Sequence, residues 1–139
     1  MSWIIFALLS AVFAALVAIF GKIGVSHTDS TLATTVRAVV MAAFLVAVSL
    51  SLGKSSLISD IDGKALTFIV LSGVAGAISW LFYFFALKYG PASGVAAIDR
   101  TSVVFVLFLS LLFLGENLSL KSALGAALVT AGAILMVIR

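Results

Sequence analysis

Residues 90–116 read GPASGVAAIDRTSVVFVLFLSLLFLGE, a span apolar enough to cross a bilayer that nevertheless carries an adjacent acid and base, Asp99 and Arg100. An ionised side chain at lipid depth costs at least about 2.5 kcal/mol on insertion scales, so it faces a protein interior or a wet cavity and marks a solute path. The rest of the chain has to supply that interior.

Working outward, 64% of the 139 residues are hydrophobic and 9% are charged, with a mean hydropathy of +1.37. Soluble domains carry about 25% charged residues, so this composition is that of a polytopic membrane protein. The net charge of +3 comes from eight basic and five acidic residues scattered singly, and no patch could neutralise a run of phosphates, which argues against a nucleic-acid partner. The absence of cysteine excludes disulfides, thiolate metal sites and Cys nucleophiles, and the one histidine, His27, cannot hold a metal unaided. No metal site and no cofactor are expected. The first apolar stretch follows Met1 and Ser2 without a basic leader and exceeds a signal-peptide core in length, so it is expected to be retained.

A helical span needs roughly 20 apolar residues, and five segments qualify: 3–20, 32–52, 65–87, 92–114 and 118–138. An odd number of spans leaves the termini on opposite sides, side A holding the N-terminus and side B the other. In the first loop Asp29 and Ser30 are candidate caps for the second span, and His27 reads as a solvated loop residue. Arg37 lies a turn and a half into the second span, where snorkelling to the interface and a buried role are both open. The 53–64 loop, GKSSLISDIDGK, is the longest polar piece and reads as a side-A surface loop.

The third span carries Ser72, Gly73, Gly76 and Ala77, small-xxx-small pairs that let another helix approach closely. Beyond them Trp80, Tyr83 and Phe84 share one helical face, which suits either an aromatic belt at side B or the wall of a solute cavity. Tyr89-Gly90-Pro91 is a short connection with Pro91 suited to a first helical turn, so the third and fourth spans are expected as an antiparallel hairpin. Asp99 and Arg100 then lie about 12 Å in from side B. Neighbours in a helix point about 100° apart, so the two cannot pair face to face; Arg37 and Lys22 are the candidate partners for Asp99. Glu116 fits a carboxylate near the start of the fifth span, where Ser119 is a candidate cap. Gly125 and Gly132, seven apart among alanines, form a small-residue seam suited to helix packing or to a subunit interface.

The run from Ala86 to Leu135, ALKYGPASGVAAIDRTSVVFVLFLSLLFLGENLSLKSALGAALVTAGAIL, resembles the EamA-type repeat of the drug/metabolite transporter superfamily, with its LGE ending and small-residue fifth helix. The whole chain is similar to the half-size, five-helix bacterial and archaeal transporters of that superfamily. Their Lys-then-Gly after helix one, Ala-Thr with a following Arg in helix two, and Pro-Ile-Asp-Lys-Leu-Ser run in helix four correspond here to Lys22-Ile23-Gly24, Ala33-Thr34-Thr35-Val36-Arg37 and Ala97-Ile98-Asp99-Arg100-Thr101-Ser102. Ala97 stands where the relatives have proline, and without it nothing in IDRTS is expected to break the helix. Full-length relatives hold two such repeats in inverted orientation, so the resemblance implies a partner. It also implies a cavity walled by helices three and four of two protomers.

The expectation is therefore an all-α, five-helix EamA-type domain that pairs as an antiparallel homodimer in the inner membrane. It would move a small organic solute or metabolite by alternating access and would not be an enzyme. Substrate-binding or coupling residues would be Asp99, Arg100, Arg37, Lys22, Trp80, Tyr83 and Phe84, with Gly73, Gly76, Gly125 and Gly132 at close helix crossings. One acid against three bases in that set leaves a local charge of +2, which leans toward an anionic or zwitterionic solute; the coupling ion stays open. In the plain structural alternative Asp99 pairs permanently with Arg37 or Lys22 and only fixes helix arrangement. A rival of another class is a non-transporting membrane scaffold that assembles with a different protein. At the helix ends orientation is balanced: Lys54, Lys64 and Lys121 lie on side A against Lys22, Lys88 and Arg139 on side B, with Arg37 and Arg100 deeper on side B, where counting them would favour side B as cytoplasmic. Short-loop Lys and Arg set topology, so the even count predicts insertion both ways.

Overall fold

Helices are the only spanning form that satisfies every backbone polar group inside one segment of a lipid-facing chain, and the computed structural model, which describes residues 3–138, is all-helical. Its elements are α1 (Trp3–Val25), α2 (Ser30–Ser51), a 3₁₀ stretch (Lys54–Asp60), α3 (Gly63–Tyr89), α4 (Ala92–Asp99), α5 (Ser102–Phe113) and α6 (Leu120–Val137). Five helical segments are long and apolar enough to cross a membrane, α4 and α5 together making the fourth.

Side-chain chemistry sets the ends. The Leu32 N–H donates to Asp29 Oδ1 at 2.9 Å, the Ala65 N–H to Asp62 Oδ1 at 2.9 Å, and the Ser122 N–H to Ser119 Oγ at 3.0 Å. Each bond satisfies one of the free donors that open a helix. Ser30, read as a second candidate cap, is instead the first residue of α2 and is buried. α1 runs on past the apolar stretch to Val25 and takes Lys22 into its last turn, where a cation favours the helix dipole. At the LGE sequence Gly115 has φ +66, and this left-handed residue lets the Glu116 N–H return to the Ser110 carbonyl at 3.3 Å, which also accepts from Leu114.

The fourth span corrects the expectation of an unbroken helix. Arg100 and Thr101 have ψ of −14° and −12°, and the bonds tighten to a three-residue step. The Thr101 N–H donates to Ile98 O (2.9 Å), the Val103 N–H to Arg100 O (3.2 Å) and the Val104 N–H to Thr101 O (3.0 Å). Thr101 Oγ1 also donates to Ile98 O at 2.7 Å. A hydroxyl bonded back to a carbonyl of its own helix competes with the regular ladder, and the Thr101 bond, made one residue closer than those of Thr34, Thr67 and Thr130 in unbroken helices, accompanies the tightened step without proline.

The chain divides into two compact units. One joins the chain up to Ile23 with the chain from Tyr89 onward. Within it α4 and α5 both pack on α6, whose buried Ala126 and Ala133 lie one heptad apart on the contact stripe. Gly94 is buried on α4, where a Cβ would sit in ordinary contact at 3.5 Å from Val137 Cγ2 of α6 and more tightly, at 3.3 Å, from Pro91 Cγ. Between α5 and α6 runs an apolar groove of about 620 Å³. The other unit is Gly24–Lys88. Its buried residues, Val25, Ser30, Thr34, Phe84 and Leu87, come from the start of α2 and the end regions of α1 and α3, toward side B.

Candidate functional site

Two groups of candidate residues occupy different units. In the Gly24–Lys88 unit, Trp80, Tyr83 and Phe84 share a face because three- and four-residue steps return to the same side of a helix. The rings meet edge to face, Trp80 with Tyr83 at 5.3 Å and 74° and Trp80 with Phe84 at 6.3 Å and 68° between centroids and planes. Arg37 of α2 lies on that face: its Cζ is 3.6 Å from the Trp80 ring centroid and 5.7 Å from that of Phe84. A guanidinium over an indole is held by the ring quadrupole and contributes about 0.5–2 kcal/mol, more as water is removed. By residue count Trp80 lies about 13 Å in from the side-B end of α3 and Arg37 about 10 Å from the start of α2, so the guanidinium stays at depth beside the ring. Snorkelling, left open by sequence, is replaced by stacking. From Arg37 a groove of about 440 Å³ continues along one stripe of α2, past Val40, Met41, Phe44 and Leu45.

In the other unit, Asp99 ends α4 and Arg100 follows it at the interruption, both exposed on the single chain. Among the described residues neither makes a side-chain hydrogen bond or an ion pair. Lys22, a candidate partner for Asp99, donates from Nζ to the Gly90 carbonyl at 2.9 Å and so ties the end of α1 to the α3–α4 turn. Lys88 does the corresponding thing in its own unit, donating to the Thr28 carbonyl at 2.9 Å. Sequence reasoning counted both lysines for orientation and missed these bonds, because a lysine near a helix end reaches any nearby carbonyl and leaves no pattern.

A Cβ built on Gly73, Gly76, Gly125 or Gly132 meets no atom within 4 Å. Contacts to α6 instead fall on the alanine stripe beside the glycines. Gly94, which has a neighbour across helices, was not singled out, although a small residue one turn after Pro91 was the available signal. His27 is exposed, and no group of three or more metal-ligating side chains forms among the described residues.

Five spans this apolar have the bilayer as their solvent. The protein is an integral membrane protein of the transporter class. The chain belongs to the EamA-like transporter family, which matches residues 1–138. A Sinorhizobium protein described as an uncharacterized transporter in the cobO 3′ region is 45% identical over 137 residues, covering 99% of this chain and 97% of its own length. An uncharacterized protein of Methanocaldococcus jannaschii is 36% identical over 75 residues, 54% of this chain and 55% of that protein. No solved structure was found to match the chain.

Proposed function

We propose that the protein works as an antiparallel homodimer that carries a small organic solute across the membrane by alternating access. The observation that carries this reading is the exposure of Asp99 and Arg100 at the interruption between α4 and α5, deep in an apolar span and without partners among the described residues. Each would cost at least about 2.5 kcal/mol against lipid. A second protomer and a wet cavity remove that cost, and broken helices at the repeat interface are where transporters of inverted-repeat type hold solute and coupling ions. The even count of lysines and arginines at the side-A and side-B helix ends supports insertion in both orientations, and the open glycines of α6 leave a face on which a second copy can close.

The test is Asp99→Asn, which keeps shape and removes charge. Reconstituted into liposomes and screened for solute-dependent currents and counterflow over a panel of small metabolites, the variant is expected to insert and dimerise normally and to lose transport. Transport at the wild-type rate would refute a role for this carboxylate, and failure to assemble would assign it to packing. Orientation is tested in parallel by removing Lys54 and Lys64 in one variant and Lys22 and Lys88 in another. Each should be weak alone and active on co-expression; two variants that work fully alone with fixed opposite orientations would rule out the antiparallel pair.

A further inference from the structure

We propose that Arg37, lying over the Trp80 ring, forms an oxyanion-binding site for a solute with a carboxylate or phosphate head and an apolar body. The inference rests on the transporter reading for its meaning as a cargo site, and its geometry stands apart from it. A guanidinium has two separable surfaces: a face that stacks and an edge that donates five N–H groups in one plane. Trp80, at 3.6 Å from Cζ to the ring centroid, takes the face, with Phe84 beside it at 5.7 Å. Stacking consumes none of the donors, and among the described residues Arg37 has no hydrogen-bond acceptor and no carboxylate partner.

The acids elsewhere are otherwise engaged or distant in sequence from this stripe. Asp29 and Asp62 hold the first turns of α2 and α3. An always-charged fork at bilayer depth with its edge unfilled among the described residues suits two oxygens side by side, the bidentate geometry that distinguishes arginine from lysine. The groove that starts at Arg37 supplies the other half of the recognition. Its lining beyond the arginine, Val40, Met41, Phe44 and Leu45, is wholly apolar, and its volume of about 440 Å³ is that of a small-molecule site. Charge at one end and hydrocarbon along the remainder select an amphipathic anion and repel an organic cation.

The same oxyanion chemistry is offered by a lipid phosphate, so the experiment separates the two sources. The chain has two tryptophans, and Trp3 is exposed; a Trp3→Phe background therefore leaves Trp80 as the sole indole reporter. In phosphate-free maltoside detergent, cyclohexanecarboxylate, cyclohexylmethanol and cyclohexylmethylamine are titrated while Trp80 emission is followed. The carboxylate is expected to give a saturable change, with the alcohol and amine at least tenfold weaker. Arg37→Lys should weaken the carboxylate at least tenfold with helicity and elution volume unchanged.

Equal responses to the three probes would overturn the proposal, and that comparison needs no Arg37 variant to fold. A response to added phosphatidylglycerol with none to the soluble carboxylate would also overturn it, making Arg37 a lipid anchor. Counterflow in liposomes distinguishes the two readings. Solute movement undiminished in Arg37→Lys removes the oxyanion site and leaves the transporter intact, whereas carboxylate binding through Arg37 with no solute moved keeps the site and removes the transporter reading.

Discussion

Ser30 shows how little local chemistry can say about a single side chain. Serine before a helix normally caps it, and here Asp29 has taken that position, which leaves Ser30 one residue inside, 1% exposed, with an Oγ that has no hydrogen-bond partner among the described residues. A buried polar atom left unpaired costs about 1–3 kcal/mol, and alanine is the better helix former. Ser30→Ala is therefore expected to leave thermal stability unchanged or to raise the midpoint by a few degrees, measured on the detergent-solubilised protein; a clear fall would mean that the hydroxyl has a partner in the assembled form. Arg37 makes the complementary point. Its residue type and depth were plain in the sequence, but its ring partner is a tertiary contact made between two helices, and no periodicity within either helix encodes it.

At the scale of elements, the interruption between α4 and α5 carries a side-chain hydrogen bond, that of the Thr101 hydroxyl. Thr101→Val keeps the shape and removes the 2.7 Å bond to Ile98 O, so the regular four-residue ladder should recover through Arg100 and Ser102. The expected reading is slower amide exchange at residues 101–104 and reduced transport, while Thr101→Ser preserves both. Unchanged exchange in the valine variant would assign the break to packing by α6. The five apolar spans and the caps at Asp29 and Ser119 were legible because hydropathy and capping are properties of short stretches. The break was not, since threonine can bond back to its helix in straight and bent forms alike and the sequence lacks the proline that announces a kink.

For the whole molecule, the glycines decide what the chain keeps for itself and what it offers. For leucine at both Gly125 and Gly132 the Cβ atoms meet nothing within 4 Å, and α6 would still pack through Ala126 and Ala133. The double variant is therefore expected to insert and to retain wild-type helicity while its self-association in detergent falls at least tenfold, read by cross-linking against protein concentration. Loss of the folded protomer would instead place those glycines at a crossing within the chain. The family and the membrane location were readable from the sequence, because the motifs lie in continuous runs. Subunit arrangement was readable only as an expectation, since it depends on surfaces that a single chain leaves open.

The interruption in the fourth span has a mechanical character that a proline would not give it. A proline ring removes an N–H for good and stiffens its bend into an elbow. The hydrogen bonds at this break, by contrast, run between Ala96 and Val104, and a hydroxyl can release one carbonyl and recapture it as fast as a rotamer turns. A joint closed by bonds within one stretch of a single chain would flex the same way in a protomer facing either direction.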